Sequence, residues 1–255
     1  MTRSFRPCAL VPTYNNPLTV RSVVEGIRAH GLDVVLIDDC SGPEGRAACE
    51  QIAADGLANV RHLERNRGKG GAVKHGFAVA HELGFSHAFQ VDADGQHDLA
   101  RIPEFLSAGR ERPEAAVLGY PEYDDGVPEM RRLGRRVTTF WVALEVGSRS
   151  AVRDAMIGFR LYPLEAVMAI SCYGDRMDFD VEVVVRLVRR GTPTVNLPVR
   201  VRYPDSEVGG VSHFHLVRDN LRLSLLHARL CTSGCVGWLW RRLRGVVAPP
   251  RRNPA

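Results

Sequence analysis

Nowhere does the 255-residue chain carry an apolar run approaching the roughly 18 to 20 residues of a membrane-spanning helix. The N-terminal segment reads as too short for a signal-peptide core: its basic residues are followed only by Cys8-Ala-Leu-Val11 before Pro12 breaks the run. Both absences predict a cytoplasmic protein whose membrane contact is peripheral. The six cysteines, at positions 8, 40, 49, 172, 231 and 235, contain no Cys-X-X-Cys pair. They read as reduced thiols of a cytosolic protein, with Cys231 and Cys235 as helix-packing residues. Charge of one sign is also scarce. The formal net charge is +5, and much of it lies in Arg241, Arg242, Arg244, Arg251 and Arg252, so the near-neutral body argues against a nucleic-acid-binding surface. Without internal repeats or low-complexity stretches before that tail, the chain reads as one large domain over 1–230 followed by a basic, aromatic tail over 231–255.

Apolar runs and helical periodicities alternate along this domain. Residues 8–11 form a strand, Leu18, Val20, Val23, Val24 and Ile27 recur at helical spacing, and Asp33-Val-Val-Leu-Ile-Asp38 is a second buried strand. A helix over 44–54, a strand over 59–63, a helix from the Gly68 loop through Leu83 and a strand ending Phe89-Gln-Val91 come after it. Next are a helix over 99–108, a strand over 115–118, a loop over 120–127 and an Arg-rich helix over 129–146. A short strand over 159–162, a helix over 178–190 and one or two strands over 194–203, interrupted by Pro198, complete the pattern. Such alternation builds a parallel sheet with helices on both faces.

Chemistry-bearing residues collect where strands end, which is where α/β folds bind ligands. The segment His87 to Asp98 sets an apolar strand against Asp92, Asp94 and Gln96. If the chain stays extended, Asp92 and Asp94 point to the same side, and paired hard oxygens suit Mg²⁺ or Mn²⁺. Gly68-Lys-Gly-Gly71 opens a helix, where free N–H groups and Lys69 favour an anion; a glycine-rich turn with a solvated lysine is the plainer reading. Tyr14 is placed to stack on a base or to pack its own loop. Asp38 and Asp39 end the second strand as acceptors for base or ribose hydroxyls. Asp178, Asp180 and Glu182 alternate with Phe179 and Val181, and offer either a general base or caps for the helix they open.

In this order, Pro12-Thr-Tyr-Asn-Asn16, Asp38-Asp39, Arg65-Asn-Arg-Gly-Lys-Gly-Gly71, Asp92-Ala-Asp-Gly-Gln96, Gly158-Phe-Arg160 and Asp178-Phe-Asp-Val-Glu182 resemble the family 2 glycosyltransferases. The likeness covers roughly residues 7–230 and is closest to the dolichyl- and polyprenyl-phosphate mannosyltransferase branch. It implies an α/β GT-A fold and a metal-dependent, inverting transfer from a nucleotide-diphosphate sugar to a lipid-linked or amphipathic acceptor. By the same resemblance, Pro12, Tyr14, Asn16, Asp38, Asp39, Lys69, Asp92, Arg160, Ser212 and His213 face the donor. Asp94, Gln96 and Asp92 hold Mg²⁺ or Mn²⁺. Asp180, with Asp178 beside it, is the expected base, although relatives acting on lipid phosphates need none because that acceptor is already ionised. Arg131 and Arg135 share a helix face and meet an anionic acceptor or lipid headgroups, or else form a solvated basic face. Two departures stand out: Asn16 where many relatives have Glu, and Gly119-Tyr-Pro121 where the branch has Gly-Ser-Arg.

The last leucine-rich helix and Trp238-Leu-Trp-Arg-Arg242 have a composition suited to a membrane interface, with Pro249 to Pro254 reading as a disordered end. Two other functions share these features. A nucleotidyltransferase also uses strand-end aspartates, but places its glycine-rich loop behind the first strand, where Pro12-Thr-Tyr-Asn stands here. A non-catalytic nucleotide-sugar-binding protein would have no need of both Asp92 and Asp94.

Overall fold

The structure, a computed structural model, describes residues 4–122, 129–201 and 221–232, the side chains of 129–133 excepted. Seven strands form one sheet: β1 (Pro7–Thr13), β2 (Asp33–Asp38), β3 (Asn59–His62), β4 (His87–Val91), β5 (Ala116–Glu122), β6 (Phe159–Pro163) and β7 (Thr194–Arg200). Their spatial order is β3-β2-β1-β4-β6-β5-β7. The helices are α1 (Val20–Arg28), α2 (Pro43–Ala54), α3 (Lys69–Glu82), α4 (Ile102–Glu111), α5 (Glu129–Val146), α6 (Leu164–Met168) and α7 (Asp178–Arg189), with α8 over 221–232.

The expected sheet forms with one exception: β6 runs antiparallel to both β4 and β5. Its N-terminal end, Phe159, therefore lies beside Val91 at the C-terminal end of β4. The reversal brings Gly158 to the edge where β1, β2 and β4 end. β7 runs unbroken through Pro198 rather than being interrupted there. As the outermost strand, paired only with β5, it can lack one N–H without losing a partner on its other side.

Alternation along the strands divides the core in two. Cys8, Leu10, Ile37, Ala88 and Leu118 pack beneath α3, α6 and α7, joined by Leu223, Leu226 and Leu230 of α8. Ala9, Val11, Leu36, Phe89, Val91 and Phe159 face α1, α2 and α4. On that second face the rings of Phe89, Phe105 and Phe159 lie 4.7–5.4 Å apart, centroid to centroid. Burying each ring contributes about 1.5–3 kcal/mol, which fixes the ends of β4 and β6 relative to each other. Burial also pushes the thiols of Cys8, Cys49 and Cys172 up to about 12, so they are protonated at neutral pH. No helix among the described residues is long and apolar enough to cross a membrane.

Candidate active site

Ala88, Gln90 and Asp92 succeed one another on the face covered by α3 and α7, so the strand that buries Gln90 also aims Asp92 at the start of α3. There Lys69, one of only two lysines in the chain, places Nζ 2.8 Å from both carboxylate oxygens of Asp92 and 2.8 Å from Oδ2 of Asp180. Gln90 Nε2 donates to Asp180 Oδ1 at 3.0 Å. Beneath them Arg160, fully buried, donates from Nη1 to the Asp180 carbonyl at 2.7 Å and to the Tyr162 hydroxyl at 3.1 Å. The four charges of Asp92, Asp180, Lys69 and Arg160 sum to zero, which is how such a group is tolerated under the sheet edge. Burial alone would push the Lys69 ammonium down; Asp180 and Asp92 outweigh it and hold the pKa above its ordinary value. Burial would likewise raise Asp180, but Lys69 and Arg160 hold it below the usual carboxylate range. Asp92 is pushed up, chiefly by burial.

Glycine is required where this cluster meets β6. A Cβ on Gly158 would fall 2.3 Å from both Asp92 oxygens. A Cβ on Gly70 would fall 2.4 Å from Cβ of Phe179, so the glycine loop is what lets α3 and α7 meet.

The structure corrects several expectations. The strand ends at Val91 and the chain turns through Ala93 to Gly95, with the Ala93 carbonyl held by Thr19 Oγ1 at 2.7 Å. Asp92 and Asp94 are therefore not alternate residues of one extended strand. Lys69 lies against Asp92, so the carboxylate expected to share the metal already faces a cation. Asp180, the expected base, is 2% exposed, both of its oxygens are engaged, and Lys69 and Arg160 hold its pKa low, which weakens it as a proton acceptor. Arg160, expected to face the donor, is fully buried and bonded to Asp180 and Tyr162. The stretch from Asp178 to Glu182 opens the expected helix; Asp178 Oδ1 accepts from Arg176 N, and Glu182 holds Tyr173 N and Gly174 N.

The expected anion cradle is largely closed by the protein itself. Asp39 accepts from Arg67 N at 2.6 Å and Gly68 N at 2.7 Å, and Gly71 N donates to the Asp175 carbonyl at 3.0 Å. Asp38 is buried and bonded to Ser41 N and His62 Nδ1. Pro12 is buried within β1, Tyr14 is half-buried just beyond its end, and the Asn16 carbonyl accepts from Thr19 N and Val20 N ahead of α1. Arg135 donates to Asp154 Oδ2 at 2.7 Å, while Asp154 Oδ1 accepts from Met156 N and Ile157 N just before Gly158. Arg131 sits on α5 with its side chain outside the described residues, where Ser212, His213 and the 233–255 tail also lie. Gln90, Tyr162 and Asp154 join the site without having been expected there; Gln90 alone leaves a signal in the sequence, as a polar residue inside an apolar strand.

Asp94 differs from Asp92 and Asp180, which Lys69 holds. It is half-buried, its Oδ1 accepts from Gln96 N at 3.0 Å, and it has no ion-pair partner among the described residues. Nearby the His97 ring lies tilted against Phe159 at 5.3 Å, and its buried Nδ1 has no hydrogen-bond partner among the described residues. Hard oxygens of Asp94 and Gln96 fit Mg²⁺ or Mn²⁺, which is commonly held by one or two carboxylates together with substrate phosphates. Among the described residues no three acidic, His or Cys side chains converge as a metal cluster on their own.

A mostly parallel sheet with acidic turns gathered along one edge is the GT-A fold, and solved structures share it. Glucosyl-3-phosphoglycerate synthase of Mycobacterium tuberculosis in complex with UDP superposes with a TM-score of 0.70 at 14% identity, covering 89% of this chain and 80% of that one. The same enzyme in complex with Mn²⁺, UDP-glucose and phosphoglyceric acid gives 0.64 at 15% identity, covering 89% and 80%. The family described as glycosyl transferase family 2 matches residues 8–170, and the chain belongs to it. Similar sequences include the undecaprenyl-phosphate mannosyltransferase of Micrococcus luteus, 28% identical over 211 residues that cover 76% of this chain and 82% of that protein. The polyprenol monophosphomannose synthase of Mycolicibacterium smegmatis is 26% identical over 263 residues, covering 95% and 91%.

Proposed function

We propose that this family 2 glycosyltransferase moves a sugar from a nucleotide-diphosphate donor to a phosphate-bearing, lipid-linked acceptor, in one displacement that inverts the anomeric centre. The observation that carries this reading is the state of Asp180. A hydroxyl acceptor needs a base, and the carboxylate at the expected place is buried, engaged by Lys69 and Gln90, and held below the usual carboxylate range, which makes it a weak proton acceptor. An acceptor phosphate arrives already deprotonated and needs none. The relatives named for undecaprenyl phosphate and polyprenol point the same way.

In this mechanism the acceptor oxygen attacks the anomeric carbon from the side opposite the leaving diphosphate. Asp94 and Gln96 would hold Mg²⁺ or Mn²⁺, which when bound supplies charge neutralisation on the departing nucleoside diphosphate. Asp92, fixed by Lys69 and Gly158, orients the sugar; Asp180 positions Lys69. Tyr14, Asp38 and Asp39 serve the nucleotide end, and Ser212 and His213, outside the described residues, keep the donor role that the family resemblance implies.

The lipid part of the acceptor has a matching surface. Val137, Phe140, Trp141 and Leu144 form an exposed stripe along α5 beyond Arg135, and Leu221 and Leu225 are exposed on α8. Such a face suits peripheral docking on the cytoplasmic membrane. The test is product analysis with UDP- and GDP-sugars, farnesyl phosphate, farnesol and Mn²⁺. Release of nucleoside diphosphate together with glycosylated farnesyl phosphate is expected. Transfer to farnesol alone contradicts the acceptor class, and release of pyrophosphate indicates a nucleotidyltransferase.

A further inference from the structure

Arg153 is the exposed member of a stretch that is otherwise held down. Val152, Asp154, Ala155 and Ile157 are buried on either side of it. Its own N–H donates to Asn196 Oδ1 at 3.0 Å, and the Asp154 turn with its Arg135 bond pins the chain from Asp154 to Ile157. The backbone therefore presents this side chain from a fixed point. Its guanidinium lies over the Tyr120 ring at 4.1 Å, and no carboxylate among the described residues pairs with it. Arg21, Arg28, Arg46, Arg101, Arg135 and Arg186, by contrast, each have an acidic partner.

The location of this cation matters. Tyr120 lies two residues past the Leu118–Arg160 pair, so continuing the antiparallel register sets it opposite Gly158, against which Asp92 is seated. Its parity with Ala116 and Leu118 puts the ring on the same face of the sheet as Gln90 and Asp92. A planar cation stacked on an aromatic ring keeps its outward N–H edge free for a bidentate contact with an oxyanion. The stacked ring also limits the rotamers that binding would otherwise have to freeze.

We propose that Arg153, carried on Tyr120, is a recognition residue for the phosphate of the acceptor, setting specificity for an anionic over a neutral lipid alcohol. This rests on the proposed acceptor class, and the experiment separates the two. Binding of farnesyl phosphate and of farnesol is measured for the wild type, Arg153→Ala, Arg153→Lys and Tyr120→Leu, with nucleoside diphosphate and Mn²⁺ binding as the control. The expected result is that Arg153→Ala weakens farnesyl phosphate about tenfold or more, ~1.4 kcal/mol. Farnesol and nucleotide binding stay unchanged, Lys recovers part of the loss, and Tyr120→Leu falls between. Three results overturn the inference: farnesyl phosphate binding unchanged in Arg153→Ala, an equal loss for farnesol, or a wild type that does not prefer the phosphate. If Arg153→Ala shows the selective loss but the wild type transfers no sugar to farnesyl phosphate, the recognition site stands and the proposed reaction fails.

Discussion

Replacing Gly158 by Ala tests how the site is seated with one methyl group. The added Cβ would lie 2.3 Å from both Asp92 oxygens, about 1 Å inside ordinary contact. The carboxylate cannot retreat toward Lys69, which already lies 2.8 Å from each oxygen. Either Asp92 rotates off the ammonium or β6 moves away from β4. Overpacking of this kind typically costs 1–3 kcal/mol, roughly 2–12 °C in Tm for a domain of this size. A displacement of about 1 Å at a substrate-orienting group costs on the order of 100-fold in rate, ~2.7 kcal/mol. Measured by sugar transfer and thermal unfolding, Gly158→Ala should therefore lose about two decades in kcat/KM with a lowered Tm. A variant within threefold of wild-type turnover and unchanged in Tm would refute the placement of Asp92 against β6.

Asp180→Asn keeps an oxygen for Gln90 but removes one of the two carboxylates that hold Lys69. Breaking a buried ion pair costs about 3–5 kcal/mol, so urea unfolding should show a loss near the lower figure, since Asp92 remains; a loss under ~0.5 kcal/mol contradicts the shared-ammonium arrangement. His87 is buried between Ser86 Oγ and the Pro113 carbonyl, and burial lowers its pKa from the usual 6.5. The unfolded chain therefore takes up that proton first: stability is full above pH 6.5 and falls as the pH drops below it, by at most ~1.4 kcal/mol per unit from this residue. Chemical unfolding of wild type and His87→Gln between pH 7.5 and 5 checks this, and equal slopes would contradict it.

Which features are legible in the sequence depends on the physics of their signals. β2 and β4 are legible because buried strands are short apolar runs bounded by turn residues, and α5 because its periodicity is long. The polarity of β6 is hidden, since nothing local in Phe159-Arg-Leu-Tyr162 says which way a strand enters the sheet. Asp92 and Asp94 stand out as residues, but their geometry does not: the alternation argument assumes a strand that Thr19 and the Gly95 turn bring to an end. Lys69 is visible at a helix start, yet its partners stand at Asp92 and Asp180, and only the packing of α3 against α7 brings them together. Charge alone singles out Asp180, and its burial against Lys69 and Gln90 is a property of tertiary structure. Pro198 argues for a broken strand until its place at the sheet edge removes the objection.

The central claim is that Asp94, a half-buried site carboxylate with no ion-pair partner among the described residues, receives the metal that holds the diphosphate. Its most direct test is a Mn²⁺ titration followed by electron paramagnetic resonance, with UDP or GDP present, on the wild type and on folded Asp94→Ala. Nucleotide-dependent Mn²⁺ binding that weakens 100-fold or more in the variant, ~2.7 kcal/mol, is the predicted result. Equal Mn²⁺ affinity in the two proteins would contradict the account.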